Sequence, residues 1–513
     1  MKLRKMVALL VALVMVLSVF SGCSKKGGTD TANTSAGEKE ETAGEKEETA
    51  GKKEETAETA ETTGAKDEIV TLKWIQVGNK MPTNYEAWQK NINEYLGEKI
   101  GVNIDVEVVS WGDWNNRRSV IVNSGEYFDI LFTDSTTYNN EVGVGAFLDI
   151  TDLIKEQAPD LYKYIPEDYW NAVSVKGKIY SVPTYKDSSA TQYFVWDKAL
   201  ADKYSVDYDN IHTLADATDS LKKIKDGEGT VPFLTDKRGV DMIYNQYYDA
   251  MGSGLVPLGV RYDDTSCKVV NVFEQKDVLE RLDILHQWYK DGIINADAPT
   301  LDEAPYYRAF GIAQGWSTAA KTSWGPKMGV EAVAVQASDT IVSNQTVRGS
   351  LNGIYSGTKY PEKCIQFLQL VNLDSKVRDA FYYGLEGENF NYDENDKVVR
   401  INNDWAMAGY TQGTFFNVTQ LAEDEINQWN EVKELNSKAK PSVLLGFNLD
   451  TSEIETEIAN CRAVYEKYSS ELVTGAKEPR ALVEKINKEL NDAGFEKIVA
   501  EAQTQVDAFN ANK

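Results

Sequence analysis

Six aromatic residues carry the clearest chemical signal in the sequence, because they fall at predicted strand ends or in glycine-bounded loops. They are Trp111, Trp114, Tyr185, Trp316, Trp324 and Trp405. A sugar ring offers an apolar C–H face and a rim of hydroxyl groups, which suits flat aromatic walls flanked by polar side chains. Large aromatics are also common in protein cores, so core packing is the alternative for each of them. The set predicts a binding site for a polyhydroxylated ligand.

Motifs for catalysis or cofactor binding do not stand out. The sequence has no phosphate loop of the GxxxxGK[ST] type, and no predicted strand is followed by GxGxxG. The two histidines, His212 and His286, have no second His or Cys at ligand spacing, which argues against zinc and against a Ser-His-Asp triad. Glycoside hydrolysis by a pair of acids stays open, since acids are numerous and no pair stands out. We expect no catalytic residue, no metal and no cofactor.

The stretch 391–395 resembles the start of a calcium-binding loop. Asp396 stands where such a loop needs glycine, and Asn402 stands where it needs a bidentate glutamate. A β-hairpin with an acidic turn, FNYDENDKVVRI, accounts for the stretch better.

The length, charge and cysteine content of the chain further narrow the classes of protein to which it could belong. With 513 residues, the chain exceeds what one hydrophobic core usually supports, so two packed units are expected. A formal charge of −26 disfavours nucleic acid and anionic lipid as partners. Besides Cys23, the cysteines are Cys267, Cys364 and Cys461, an odd number that gives no basis for asserting a disulfide.

Residues 1–22 resemble a bacterial lipoprotein signal peptide. Basic residues precede the apolar run 6–19, and Ser21 and Gly22 precede Cys23. Phe20 replaces the usual leucine, and an ordinary secretory signal with a chance cysteine is the alternative. The resemblance implies a lipid (palmitate) on Cys23 that anchors the chain to the outer face of a membrane. Residues 23–68, with three near copies of the heptad GEKEETA, are predicted to be a disordered acidic tether.

The elements after the tether predict an α/β fold. Alternating residues in 69–77 and 102–109 predict strands, and helical spacing in 83–100 completes a βαβ unit with a parallel sheet. A helix from Trp111 to about residue 123 and a strand at 128–133 follow. Ligands gather at the carboxyl ends of strands in such sheets, so Gln76, Trp111, Trp114 and Asp134 are candidate contacts.

The rest of the chain predicts a second unit and a return to the first. Helices are expected around 213–224, 241–251 and 274–289, with strands at 193–196, 310–316 and 330–335. Residues 350–355 predict another strand. Pro361 then suits the first turn of a helix, and Asp374 or Ser375 can cap the helix after it.

In chain order, these segments resemble family 1 extracellular solute-binding lipoproteins, which feed carbohydrate ABC importers in Gram-positive bacteria. The resemblance runs from residue 69 to the end and is carried by IVTLKWIQVG, SWGDWNNR, GEYFDILFT, GKIYSVPTY, QGWSTAAK, SGTKYPEKCIQFLQLVNLD, YGLEGENF and LGFNLDTSEIETEIANCRAVYEKYSSELVTGAKEP. Each motif is weak alone, and their order after a lipoprotein signal makes the match more specific.

The resemblance implies a two-lobed α/β fold of the periplasmic-binding-protein type (class II), whose lobes close on a ligand about hinge crossings. The first lobe would comprise residues 69–184 and 348–440, and the second residues 185–347 and 441–513. The candidate ligand contacts are Gln76, Trp111, Trp114, Asp134, Tyr185, Asp187, Trp316, Trp324, Asn352, Glu386 and Trp405.

The resemblance also implies a function. A monomeric, lipid-anchored extracellular protein would capture a carbohydrate, in particular an oligosaccharide, and hand it to an ABC permease. ATP hydrolysis would belong to a separate subunit, in keeping with the missing phosphate loop. A secreted glycoside hydrolase and a peptide-binding or sensory lipoprotein are the alternatives.

Overall fold

The computed structural model describes residues 69–512. The predicted signal peptide, the tether and Cys23 lie outside these residues. Within them, every helix is too short or too polar to cross a bilayer. In the same range, no group of three or more His, Cys, Asp or Glu side chains is arranged to hold a metal ion.

The strands are numbered in chain order. They are β1 (Val70–Gly78), β2 (Val102–Ser110), β3 (Ile130–Thr133), β4 (Ser174–Val175), β5 (Lys178–Ile179), β6 (Ser181–Pro183), β7 (Gln192–Asp197), β8 (Tyr248–Asp249), β9 (Leu258–Arg261), β10 (Val269–Asn271), β11 (Phe310–Gln314), β12 (Ala332–Gln336), β13 (Ile341–Val342), β14 (Leu351–Ile354), β15 (Phe390–Tyr392), β16 (Val398–Arg400) and β17 (Lys440–Pro441).

The α-helices are numbered in the same way. They are α1 (Tyr85–Ile100), α2 (Trp114–Ser124), α3 (Tyr138–Gly143), α4 (Leu153–Gln157), α5 (Pro159–Tyr164), α6 (Glu167–Val173), α7 (Lys198–Lys203), α8 (Leu214–Glu228), α9 (Met242–Asn245), α10 (Lys276–Lys290), α11 (Gly325–Met328), α12 (Asn344–Val347), α13 (Pro361–Leu373), α14 (Ser375–Tyr383), α15 (Gln428–Lys438), α16 (Glu455–Val473), α17 (Pro479–Asp492) and α18 (Phe495–Asn510).

A five-stranded mixed sheet forms the centre of the first lobe, in the order β2-β1-β3-β14-β6. β1 pairs in parallel with β2 along its whole length and with β3 on its other side, which confirms the predicted parallel unit. β14 runs antiparallel to both of its neighbours, β3 and β6. The carboxyl ends of β1, β2, β3 and β6 therefore share one edge of the sheet with the start of β14.

Two antiparallel three-stranded sheets belong to the second lobe, in the orders β11-β7-β12 and β10-β9-β8. Along β7, Phe194 and Trp196 are buried in the main core of this lobe. The alternate residues Tyr193 and Val195 lie on the opposite face, in a small cluster with Trp324. This alternation is the period of two that a strand imposes on its side chains.

The described residues contain two separate large hydrophobic clusters, one in each lobe. The first runs in sequence from Leu72 to Met407 and the second from Phe194 to Val506. The chain passes between them in residues 185–194, 337–342 and 407–444. At these passages, β13 pairs in parallel with β17, and Ala190 bridges to Ile341. The exact lobe boundaries given above stay a prediction.

Three local predictions can be compared directly with the structure. The acidic hairpin is confirmed as β15 and β16, which pair antiparallel. Cys267, Cys364 and Cys461 are buried free thiols. The helix predicted at 241–251 is wrong beyond Asn245, because Tyr248 and Asp249 form β8 and pair with β9.

Candidate functional site

A cavity of about 620 Å³ lies between the two lobes. Ser135 and Thr136, which follow β3, line its first-lobe side, and most of the remaining wall belongs to the second lobe. Its volume falls within the range of about 300–1,000 Å³ that is usual for small-molecule sites. The polar residues of the second-lobe wall include Gln192, Tyr244, Asn245, Gln246, Tyr248, Asp249, Ser253, Tyr262, Gln314 and Arg462, and the segment that follows the second passage adds Ser343, Gln345 and Thr346.

Strand pairing brings two glutamines of this wall together. Gln192 begins β7 and Gln314 ends β11, and the antiparallel register places them directly opposite each other. Gln246, at the end of α9, donates from Nε2 to the carbonyl oxygens of Ala190 at 3.1 Å and Asp339 at 2.9 Å. These two bonds tie the cavity wall to two of the passages between the lobes.

The charged side chains that line the cavity are Asp249 and Arg462, and both are occupied by protein contacts. Asp249 accepts hydrogen bonds from the Met251 amide at 2.8 Å and from the Ser442 hydroxyl at 2.9 Å. Burial raises the pKa of Asp249. Arg462 donates to the carbonyl oxygen of Gly254 at 3.0 Å. The wall left to a ligand consists mainly of amides, hydroxyls and apolar groups, which suits an uncharged polyhydroxylated molecule.

Gln76 and Asn352, both predicted ligand contacts, are fully buried and hydrogen-bonded to each other. Asn352 Oδ1 accepts from Gln76 Nε2 at 2.9 Å and from Trp74 Nε1 at 3.1 Å. Asn352 Nδ2 donates to the carbonyl oxygens of Thr411 and Gln412, and the Thr411 hydroxyl donates to Gln76 Oε1 at 2.8 Å. The pair therefore holds loop 408–412 against the carboxyl edge of the first-lobe sheet.

The loop held by Asn352 carries one half of an exposed aromatic pair. The rings of Tyr410 and Trp111 are parallel to within 3°, with centroids 6.0 Å apart. Tyr410 is 41% exposed and Trp111 is 44% exposed. Arg378 supports the loop from below, donating to the carbonyl oxygens of Gly409 and Thr414, and its complete burial lowers its pKa to about 10. Among the predicted tryptophans, Trp111 is the exposed one.

Trp114 and Trp405 lie in the first-lobe core. Trp114 is buried against Phe132, with ring centroids 5.6 Å apart. Trp405 packs against Trp88 of α1 and donates from Nε1 to the carbonyl oxygen of Phe381 at 2.9 Å.

Tyr185 and Asp187 lie at the start of the first passage between the lobes, and Asp134 directly follows β3. Asp134 accepts a hydrogen bond from the Thr136 amide at 2.9 Å, and so shapes the turn that brings Thr136 to the cavity. Tyr185 is buried against Phe416, with centroids 4.7 Å apart. Asp187 pairs with Lys186, whose Nζ is 2.6 Å away.

The remaining predicted residues are spread over both lobes. Trp316 donates from Nε1 to Gln428 Oε1 at 3.1 Å. Trp324 lines a separate groove of about 120 Å³ on the outer face of the β11-β7-β12 sheet. Glu386 is exposed in the loop before β15. Among all eleven predicted contacts, none lines the cavity, and Asp134 comes nearest in sequence.

The fold and the cavity together define the class of solute-binding proteins. Residues 90–387 match the family described as bacterial extracellular solute-binding protein, and the chain belongs to this family. Residues 443–511 match a domain of unknown function, DUF3502. In the structure these residues form α16, α17 and α18, which complete the second hydrophobic cluster rather than a core of their own.

Proteins that are similar to this chain and have a described role also belong to the class of solute-binding proteins. A carbohydrate ABC transporter substrate-binding protein from Streptococcus pneumoniae is 29% identical over 461 residues, covering 86% of this chain and 91% of the relative. The crystal structure of the N-glycan transport solute-binding protein NgtS from the same species is 26% identical, with a TM-score of 0.77 over 86% of this chain and 99% of NgtS. NgtS in complex with Man5GlcNAc is 27% identical, with a TM-score of 0.65 and the same coverage. These relatives are binding proteins, which confirms the prediction that the chain is not an enzyme.

Proposed function

We propose that this protein captures an extracellular carbohydrate, in particular an uncharged oligosaccharide, between its lobes and delivers it to the permease of an ABC importer. The observation that carries the proposal is the interlobe cavity, whose amide and hydroxyl wall matches the hydroxyl rim of a sugar. The NgtS complexes with Man1GlcNAc and Man5GlcNAc support the carbohydrate class. Trp111 and Tyr410 would stack against a further sugar ring of a longer ligand.

Closure of the lobes would couple binding to delivery. The TM-score is 0.77 against the NgtS structure whose description names no ligand, and 0.67 and 0.65 against the Man1GlcNAc and Man5GlcNAc complexes. This ranking of TM-scores supports an open arrangement of the two lobes in this structure. A ligand that binds the closed form more tightly would shift the protein toward that form. The closed form, as a monomer, would then dock on the permease.

The proposal places the protein on the outer face of the cell membrane, held by lipid on Cys23 and extended by the tether 23–68. Its basis is the signal-like sequence before Cys23. With Cys23→Ser, the protein should move from the membrane fraction to the medium in a fractionated culture. A variant that stays with the membrane would show that Cys23 is not the anchor.

We predict that neutral oligosaccharides stabilise the protein and acidic ones do not. A ligand at 100 times its dissociation constant adds about 2.7 kcal/mol to the free energy of unfolding. The measurement is a thermal-shift screen with Man5GlcNAc and shorter neutral mannosides, set against mannuronate oligomers and peptides of similar size. The expected result is a higher melting temperature with the neutral sugars alone.

The same ligands, analysed by chromatography for cleavage after incubation with the protein, separate the alternatives. Cleavage of an added oligosaccharide would support a glycoside hydrolase, and stabilisation by peptides alone would support a peptide-binding or sensory lipoprotein. Equal stabilisation by neutral and acidic sugars would contradict the preference for an uncharged ligand.

A further inference from the structure

The carboxylate of Glu431, on helix α15, accepts four hydrogen bonds from the second lobe. Glu431 Oε1 accepts hydrogen bonds from the amide of Ser317 at 2.7 Å and from its hydroxyl at 2.5 Å. Glu431 Oε2 accepts from the amide of Thr318 at 2.9 Å and from its hydroxyl at 2.6 Å. Burial opposes the charge, yet these donors bring the pKa of Glu431 below its ordinary value. Four hydrogen bonds to one ionised group form a strong and directional contact.

Gln428, one turn earlier on the same face of α15, reinforces the contact. Its Oε1 accepts from Trp316 Nε1 at 3.1 Å and from the Thr322 hydroxyl at 2.7 Å. The bonded turn, residues 316–322, follows directly after Gln314, which ends β11 and lines the cavity. The helix therefore braces the segment that leads out of the cavity wall.

The contacts of α15 with the first lobe are of a different kind. Trp429 stacks on Phe415, with ring centroids 4.2 Å apart and an angle of 28° between the planes. Lys433 Nζ lies 5.8 Å from the centre of the Phe416 ring. Single dispersion contacts between rings are weak, whereas hydrogen bonds such as those of Glu431 weaken steeply when their angle changes, so we expect α15 to follow the second lobe.

At its far end, α15 reaches the first passage between the lobes. Asn436 Oδ1 accepts from the Ser189 hydroxyl at 2.8 Å, and Asn436 Nδ2 donates to the carbonyl oxygen of Lys186. The helix thus spans from the hinge to the turn after β11, with directional bonds at both ends and aromatic contacts to the first lobe between them.

We propose that Glu431 is a positioning residue for ligand capture, which fixes α15 to turn 316–322 so that helix and cavity wall move as one body against Phe415 and Phe416. The turn then keeps Gln314 in place when the lobes close on a ligand. This role rests on the proposed function for its ligand, although the contact itself can be tested without one.

The test is Glu431→Gln in the full chain. A glutamine keeps one acceptor oxygen and places an amide nitrogen against the other two donors, so the amide of either Ser317 or Thr318 should lose its protection in hydrogen-exchange mass spectrometry while amides of β7 keep theirs. Binding of Man5GlcNAc should weaken by about tenfold, measured by titration calorimetry, because the loosened turn no longer holds Gln314 in place for the ligand.

Glu434→Gln is the matched control, because Glu434 is exposed on the same helix and pairs only with Lys438 among the described residues. It should change neither exchange nor affinity. If the turn loses its protection in Glu431→Gln but the affinity is undiminished, Glu431 is not a positioning residue for ligand capture. If the turn stays protected in this variant, Glu431 does not hold the turn. If the wild-type chain binds no oligosaccharide, the proposed function fails, and the exchange experiment still decides whether Glu431 holds the turn.

Discussion

Asn352→Leu should lower the free energy of unfolding by about 3–5 kcal/mol, because it leaves several buried polar groups without a partner. Leucine is similar in size to asparagine but offers neither the acceptor used by Trp74 and Gln76 nor the donor used by the carbonyl oxygens of Thr411 and Gln412. Each unpaired buried group costs about 1–3 kcal/mol, and the sum is less than additive since the groups are neighbours.

Urea unfolding followed by tryptophan fluorescence measures this change. Asn123→Leu is the control, since Asn123 is exposed on α2 and bonds only to Ser119 among the described residues. The Asn352 variant should also bind oligosaccharides less tightly than its residual stability alone would predict, because loop 408–412 and its Tyr410 lose their support. A decrease in the free energy of unfolding below about 1 kcal/mol would mean that the buried network does not stabilise the fold as argued.

Gln192→Leu should weaken oligosaccharide binding by about 10- to 100-fold, as expected when a buried amide can no longer pair with ligand hydroxyls. Gln192 is buried in the cavity wall. Within residues 69–512, its side-chain amide has no protein hydrogen-bond partner, whereas its backbone amide donates to Ser338. The amide is therefore available to a ligand, and leucine replaces it with a shorter, apolar group.

Titration calorimetry with Man5GlcNAc gives the affinities. Gln336→Leu is the matched control, because Gln336 ends β12 on the same sheet, is exposed and does not line the cavity. The control should bind like the wild type, and urea midpoints should be similar for both variants. If Gln192→Leu binds with unchanged affinity, this end of the β7 and β11 pair does not belong to the binding site.

Much of the fold follows from local sequence signals. The strand predicted at 350–355 is β14, and the helix predicted to begin at Pro361 is α13. Asp374 caps α14 by accepting from the Val377 amide at 3.2 Å, as its residue type suggests. These features depend on neighbouring residues, so they can be recognised from a short stretch. The false helix after Asn245 arose where pairing with a distant strand, β9, outweighed helical spacing.

The site was harder to predict, because the cavity gathers residues from both lobes and the hinge. Gln192, Gln246 and Gln314 are common polar residues without characteristic spacing, and only the register of β7 and β11 brings two of them together. Aromatic type alone did not separate Trp111, which is exposed, from Trp114, which is buried. Gln76 and Asn352 were predicted as ligand contacts but are buried within the first-lobe sheet, and their partners on loop 408–412 lie about sixty residues or more away in sequence.

The three passages of the chain between the lobes also determine the order in which the protein can be completed during synthesis. The first hydrophobic cluster needs residues as late as Met407, and the second needs residues as late as Val506. A ribosome-bound chain has therefore made most of the second lobe before the first core can close. Neither lobe is one continuous fragment, so the nascent chain stays without a finished core through most of its translation.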